Sequence, residues 1–214
     1  MKFNFDNPFF RALGKVVDCI WLCILWLVCS LPVLTVGASS TALYYTVHKC
    51  IRGGRGYTTR AFFKSFKDNF KPATLSWLVV LVVWLVAVGD IVVTRQLLMK
   101  GSSLGMFFYF FIILLLLAVG WSCYVFSYIA RFSNTVINTL KNALFLELRH
   151  LPWSLLVILI LLAGVVIAWL IPGLIFLVPA IVALMFDLIL ERIFRRYMSP
   201  EDLAREMEND KDEE

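Results

Sequence analysis

Charged side chains are scarce in this sequence. Asp, Glu, Lys and Arg make up 16% of it, where a soluble domain carries roughly 25%. From Trp153 to Phe186 none occurs for 34 residues. With 61% hydrophobic residues and a mean hydropathy of +0.83, the chain has too few polar groups to cover its surface in water. Lipid is then the solvent. The alternating segments of a membrane β-barrel are missing as well. Helices remain as the way to satisfy backbone groups in hydrocarbon.

Groups that bind metals or perform chemistry are also few. The two histidines, His48 and His150, sit at loop ends beside basic residues, and spacing supplies neither with ligand partners. The five cysteines are odd in number and form no CxxC, which excludes a disulfide framework or a zinc site of the usual spacing. Cys19 and Cys23, four residues apart, read as small packing residues. HExxH, GxSxG and a Walker lysine loop are all absent. Gly53-Gly54-Arg55-Gly56 lacks the strand, the Lys and the Ser/Thr of a phosphate loop. The expectation is a protein without catalytic residues, metal or cofactor, and not an enzyme.

What is present is a series of apolar runs. About 20 apolar residues span a bilayer as a helix. Five runs qualify, at about 16–34, 73–93, 104–129, 153–171 and 174–190, the last two joined as a hairpin at Ile171-Pro172-Gly173. The first is preceded by Lys2, Arg11 and Lys15, like a signal peptide. Val16–Val36 is longer than a signal core, so it reads as a retained span. The fold class is all-α: a polytopic helical membrane bundle in one domain over 1–196, followed by an acidic tail, 197–214, whose composition predicts disorder.

Two amphipathic helices interrupt the spans. In the first, at about 60–71, Phe62, Phe66 and Phe70 recur every four residues, with Lys64, Lys67 and Lys71 largely on other faces and Thr58 or Thr59 available as cap. Pro72 is expected to end it. The pattern suits lipid or a partner's groove, and these six residues are candidate partner contacts. In the second, at about 134–149, Val136, Ile137, Leu140, Leu144 and Leu148 form the apolar stripe, with Asn134, Asn138, Lys141 and Asn142 facing away. Between the first span and the first amphipathic helix lies a weakly polar stretch of small residues, 35–49. Pro32, Gly37, Ala38, Thr41 and Tyr44 are its candidate helix-packing positions. It reads as a bent continuation or a half-inserted helix.

Three acidic residues lie in or beside spans: Asp18, Asp90 and Asp187. Ionisable groups in a membrane are costly and mark functional candidates. Their positions near span ends favour interfacial anchoring and tertiary pairing over a proton or cation relay. Glu191 follows Asp187 by one turn and precedes Arg195 by another, the spacing of an i,i+4 pair. Fifteen of the 20 Lys and Arg fall in loops 48–72 and 131–152 and after residue 190. That excess places the basic loops and the C-terminus in the cytoplasm. It also explains the basic cluster as membrane topology, with no need to invoke nucleic acid.

Two segments carry a family resemblance. Leu31-Pro32-Val33-Leu34-Thr35-Val36-Gly37-Ala38-Ser39-Ser40-Thr41-Ala42-Leu43-Tyr44-Tyr45, followed by Lys49, resembles the N-terminal signature of the YesL-like membrane proteins. Phe62-Phe63-Lys64-Ser65-Phe66-Lys67-Asp68-Asn69-Phe70-Lys71 is similar to their second signature, and Thr139-Leu140-Lys141-Asn142-Ala143 extends the likeness. Cys23 departs from the pattern, standing where many members carry Asn. The resemblance implies an integral membrane protein of the kind found mainly in Gram-positive bacteria beside carbohydrate-uptake genes. It supplies no catalytic residue. The expected function is a non-catalytic accessory subunit in the cell membrane, packed on the permease and ATPase of an oligosaccharide ABC importer. The alternative is an independent small transporter or channel.

Overall fold

A computed structural model describes residues 8–198 and Glu201. Lys2 and most of the acidic tail lie outside the described residues, and so do the side chains of residues 8–12. The elements are α1 (Pro8–Ser30), α2 (Val36–Thr46), a π-helical segment (Val47–Arg52), α3 (Thr58–Asp68), α4 (Phe70–Met99), α5 (Phe107–Arg131), α6 (Val136–Arg149), α7 (Leu151–Leu170) and α8 (Val178–Phe194). No strand occurs among the described residues.

Four helices are long and apolar enough to cross a membrane: Leu13–Ser30 in α1, Phe70–Met99, Ser103–Arg131 and Leu151–Leu170. The run expected as a fifth span, 174–190, falls largely on α8. α8 has 17 residues, or about 25 Å at 1.5 Å per residue, short of a hydrocarbon core of about 30 Å. The expected tight turn at 171–173 is instead a 3-10 segment, Pro172–Phe176, that leads into α8. α4 is the longest helix, at 30 residues, or about 45 Å. It runs past the predicted end at Val93 because nothing before Gly101 breaks it; Gly101 turns the chain with φ 74°.

The bundle is sorted by side-chain size and polarity more than by hydrophobicity. Its outer surface carries Leu85, Ile113, Leu159 and Trp169 well exposed. Its interior holds Ala38, Ser39, Thr41, Ala42, Ser76, Ser122 and Ser127 beside the larger Tyr124, Val125 and Phe194. In lipid no hydrophobic force separates inside from outside, so close backbone approach and polar contacts select the inward residues.

α2 sits among α1, α3, α4, α5 and α8. Pro32 detaches it from α1 by interrupting the helix, and the Thr35 hydroxyl donates to the Cys29 and Pro32 carbonyls at 2.6 and 2.8 Å. α2 is therefore a separate buried helix and not a continuation of α1. Its fit depends on Gly37. A Cβ there would lie 2.6 Å from the Ala73 carbonyl oxygen and 2.7 Å from Trp77 Cβ. Trp77 crosses the same contact and donates to the Val33 carbonyl at 2.7 Å.

Both amphipathic helices depart from expectation. α3 stops at Asp68, and Asn69 is the joint, its side chain donating back to the Ser65 carbonyl at 3.1 Å. Phe70, Lys71 and Pro72 open α4. Proline is tolerated in a first turn, where its missing N–H has no intrahelical partner. No threonine side chain caps α3; Thr59 Oγ1 accepts from Trp21 Nε1 at 2.8 Å. In α6 the apolar stripe is split: Val136 and Leu140 are half-buried, Leu140 packing on the core, while Asn138, Lys141 and Asn142 are exposed as expected. Ile137, Leu144 and Leu148 are exposed, and the buried residues are Thr139, Ala143, Leu146 and Glu147. The stripe rule assumes water outside. Beside lipid, the apolar face is free to turn outward.

Candidate functional site

Two strips with four-residue spacing meet at one end of the bundle. The chain from α2 through the π-helical segment presents Tyr44, His48 and Arg52. α8 presents Asp187, Glu191 and Arg195. His48 Nδ1 lies 2.7 Å from Asp187 Oδ1, and Arg52 Nη1 donates to Asp187 Oδ2 at 2.7 Å. Arg131, the last residue of α5, grips Glu191 with two nitrogens: Nη2 donates to Oε1 at 2.8 Å and Nε to Oε2 at 3.1 Å. Arg195 Nε adds a bond to Oε1 at 3.1 Å from the same helix. His48 Nδ1 is also 4.0 Å from Glu191 Oε2.

Asp187 and Glu191 are almost completely buried. Buried carboxylates survive only when paired and hydrogen-bonded, and here cations from three elements do the pairing. The bond to Asp187 raises the Arg52 pKa further above its ordinary value and keeps the guanidinium charged. Tyr44 is buried one turn before His48, and its hydroxyl has no hydrogen-bond partner among the described residues. Burial, then the Asp187 and Glu191 charges, raise the hydroxyl well above the usual tyrosine range, so it stays protonated. The π-helical winding has physical weight too. Such turns are rare and collect at functional sites.

A second buried carboxyl stands apart. Glu147 of α6 is fully buried, and neither carboxyl oxygen has a hydrogen-bond partner among the described residues. It fits only because residue 120 is glycine: a Cβ on Gly120 would run into Glu147 Oε1 and lie 2.9 Å from Ile158 Cδ1. Close by, Ser154 Oγ donates to the Tyr124 hydroxyl at 3.0 Å and to the Glu147 carbonyl at 2.8 Å. Burial alone pushes the Glu147 carboxyl up to about 8.

The candidates read from sequence scatter across this geometry. Asp187 is at the centre of the buried cluster. Asp18 is exposed on α1, and Asp90 lies on α4 toward the end of the bundle away from Asp187. The three therefore do not share a site. Of the packing candidates, Gly37, Ala38, Thr41 and Tyr44 are buried in α2, while Pro32 is exposed at the break before it.

Of the partner-contact candidates, Phe62 is fully buried against Leu22, Ala42, Leu43, Val47 and Ile51, and Phe66 stacks on it at 6.2 Å. Phe62 thus belongs to the core and is not a surface contact, while Phe66 is half-buried. Lys64 is half-buried, and Phe70, Lys67 and Lys71 remain exposed. With Phe66, Asp68 and Pro72, these last three line a shallow groove of 460 Å³ at the α3–α4 joint.

Sequence reading missed His48, Arg52, Arg131 and Glu147 as site residues. Tyr44-x3-His48-x3-Arg52 and Asp187-x3-Glu191-x3-Arg195 were visible as spacings, but nothing local said that they face each other. Glu147 carried no local signal: it is a single acid in an amphipathic segment, where a solvated position is the ordinary reading.

Residues 19–91 match the model of a family described as "Protein of unknown function, DUF624". That is the family domain of the YesL-like proteins, so the likeness drawn from the first two motifs is supported over this segment, about a third of the chain. The matched part contains Tyr44, His48 and Arg52 together with the groove. Arg131, Glu147, Asp187 and Glu191 lie beyond it. No curated protein and no solved structure matches the chain.

Proposed function

We propose that this protein is a non-catalytic accessory subunit of the cell membrane that packs on an oligosaccharide ABC importer. The groove at the α3–α4 joint is the observation that carries the docking part of this reading. It offers an exposed aromatic, Phe70, between two exposed cations, Lys67 and Lys71, where a span helix leaves the core. A partner with an acidic, apolar-centred surface is complementary to it. The importer itself comes from the family resemblance. In this reading the groove, the basic loops and the C-terminus face the cytoplasm, in keeping with the Lys/Arg excess, and the groove meets the permease or its ATPase.

Affinity purification from the native membrane in mild detergent tests the proposal. Permease and ATPase subunits should be recovered with the wild-type chain and lost with Phe70→Asp. Phe70 is the residue to change because Phe66→Asp would strike the core. Recovery of the same importer subunits with Phe70→Asp overturns the docking surface. A wild-type protein that emerges alone from several gentle detergents overturns the accessory role.

The half-buried His48 beside the buried Asp187 and Glu191 favours a second reading, an independent small transporter or channel, because clustered ionisable groups in a helical membrane bundle line ion and substrate paths. Solute flux by the purified protein in liposomes, abolished by Asp187→Asn, would establish it.

A further inference from the structure

We propose that His48, Asp187 and Glu191 form a binding site for one divalent transition-metal cation. One ligand atom from each residue lies within 4.8 Å of the others, with His48 Nδ1 2.7 Å from Asp187 Oδ1 and 4.0 Å from Glu191 Oε2. A cation held at about 2.0–2.2 Å by imidazole and carboxylate needs its ligand atoms roughly 3 Å apart. Movements of about 1 Å bring these three to that spacing.

The arginines leave room for it. Arg52 holds Asp187 through Oδ2 and leaves Oδ1 to the site. Arg131 and Arg195 converge on Glu191 Oε1, and Oε2 takes the single Arg131 Nε bond. Each carboxylate oxygen has two lone-pair directions, so both faces that meet His48 retain capacity. The guanidiniums then act as supports that orient the ligands.

An independent observation points to a missing occupant. The Tyr44 hydroxyl is buried one turn before His48 and makes no hydrogen bond among the described residues. The two carboxylates are the charges that act most strongly on it. A buried hydroxyl without a partner is destabilising, and a cation or its bound water beside the carboxylates supplies one. The π-helical winding that carries His48 is the kind of backbone irregularity retained at sites.

Ligand chemistry selects the class. An imidazole nitrogen disfavours Ca²⁺ and Mg²⁺, which prefer all-oxygen sites. Carboxylate and imidazole together suit Mn²⁺ or Zn²⁺. The added charge is the main opposing force. It is moderated because a metal-bound His48 is neutral, and because two of the three guanidiniums, Arg52 and Arg195, are 35% and 67% exposed and screened by water; Arg131, at 5%, is unscreened and keeps its pairing with Glu191.

The test is a Mn²⁺ titration of the full chain in detergent micelles, stripped with chelator, following loss of the free-ion electron paramagnetic resonance signal. Mn²⁺ is chosen because it avoids thiols, and Cys50 lies in the same segment. One Mn²⁺ per chain is expected. His48→Gln and Glu191→Gln should weaken binding by about a hundredfold, and Tyr44→Phe by about tenfold, the loss typical of a partner outside the ligand shell. Tyr44→Phe removes a hydroxyl with no hydrogen bond, so the fold survives and its result stands even if the other variants are unstable. Cys50→Ser should bind as wild type. Failure of the wild-type chain to bind Mn²⁺ at millimolar concentration overturns the site, and so does unchanged affinity in both His48→Gln and Tyr44→Phe. The result does not depend on the accessory-subunit reading.

Discussion

Replacing Glu147 with glutamine should remove a pH dependence from the stability of this protein. The folded carboxyl is pushed up to about 8 by burial, from an ordinary value of 4.5. Below pH 4.5 it is protonated in both folded and unfolded chains, and no charge is buried. Between about 4.5 and 8 the unfolded chain gives up the proton while the folded one keeps it, so stability falls as pH rises. Above about 8 the folded chain carries a buried carboxylate and the loss is complete. The gap between the two values, at about 1.36 kcal/mol per pH unit, amounts to roughly 5 kcal/mol. A glutamine amide cannot ionise. At pH 5 the Glu147→Gln variant should match the wild type, or fall slightly below it because a buried amide also lacks partners. At pH 8.5 it should be several kcal/mol more stable, a rise in Tm on the order of 10 °C for a chain of this size. The assay is thermal unfolding in detergent, read by tryptophan fluorescence, for both proteins from pH 5 to 9. The quantity of interest is the difference between the two curves, in which every other titrating group cancels. A difference that stays flat with pH would refute the buried, unpartnered carboxyl.

Other outcomes follow from the same packing. Gly37→Ala should lower stability by about 1–3 kcal/mol, because its Cβ meets the Ala73 carbonyl and Trp77 and the core must overpack. Gly89→Ala on α4, where a Cβ meets nothing within 4 Å, should be neutral or stabilising by up to about 1 kcal/mol, and thermal unfolding of the pair checks both. Glu191→Ala should cost about 3–5 kcal/mol by taking away the carboxylate that Arg131 grips at 5% side-chain exposure. Arg195→Ala, on the same carboxylate but well exposed, should cost at most about 0.5 kcal/mol, and comparing the two by chemical unfolding separates buried from screened pairing.

The sequence by itself determined that the chain is helical and where most of its long helices lie. A charge-free run of 34 residues has few other solutions in lipid, and the small residues at 36–46 require close neighbours. It also marked Asp187 as suspect, since an acid beside a span must be stabilised by something. The tertiary structure decided what that something is. His48 and Asp187 are 139 residues apart, and only the packing of α2, α5 and α8 brings them together with Arg131. Tertiary structure also decided which way the amphipathic faces turn. In water an apolar stripe must point inward, so periodicity fixes the inside. Beside lipid that rule loses its force. Phe62 of the α3 stripe turns in beside α1 and α2, while Ile137, Leu144 and Leu148 of the α6 stripe face out and Glu147 lies in the interior. Periodicity locates a face, but the solvent and the neighbouring helices choose its direction.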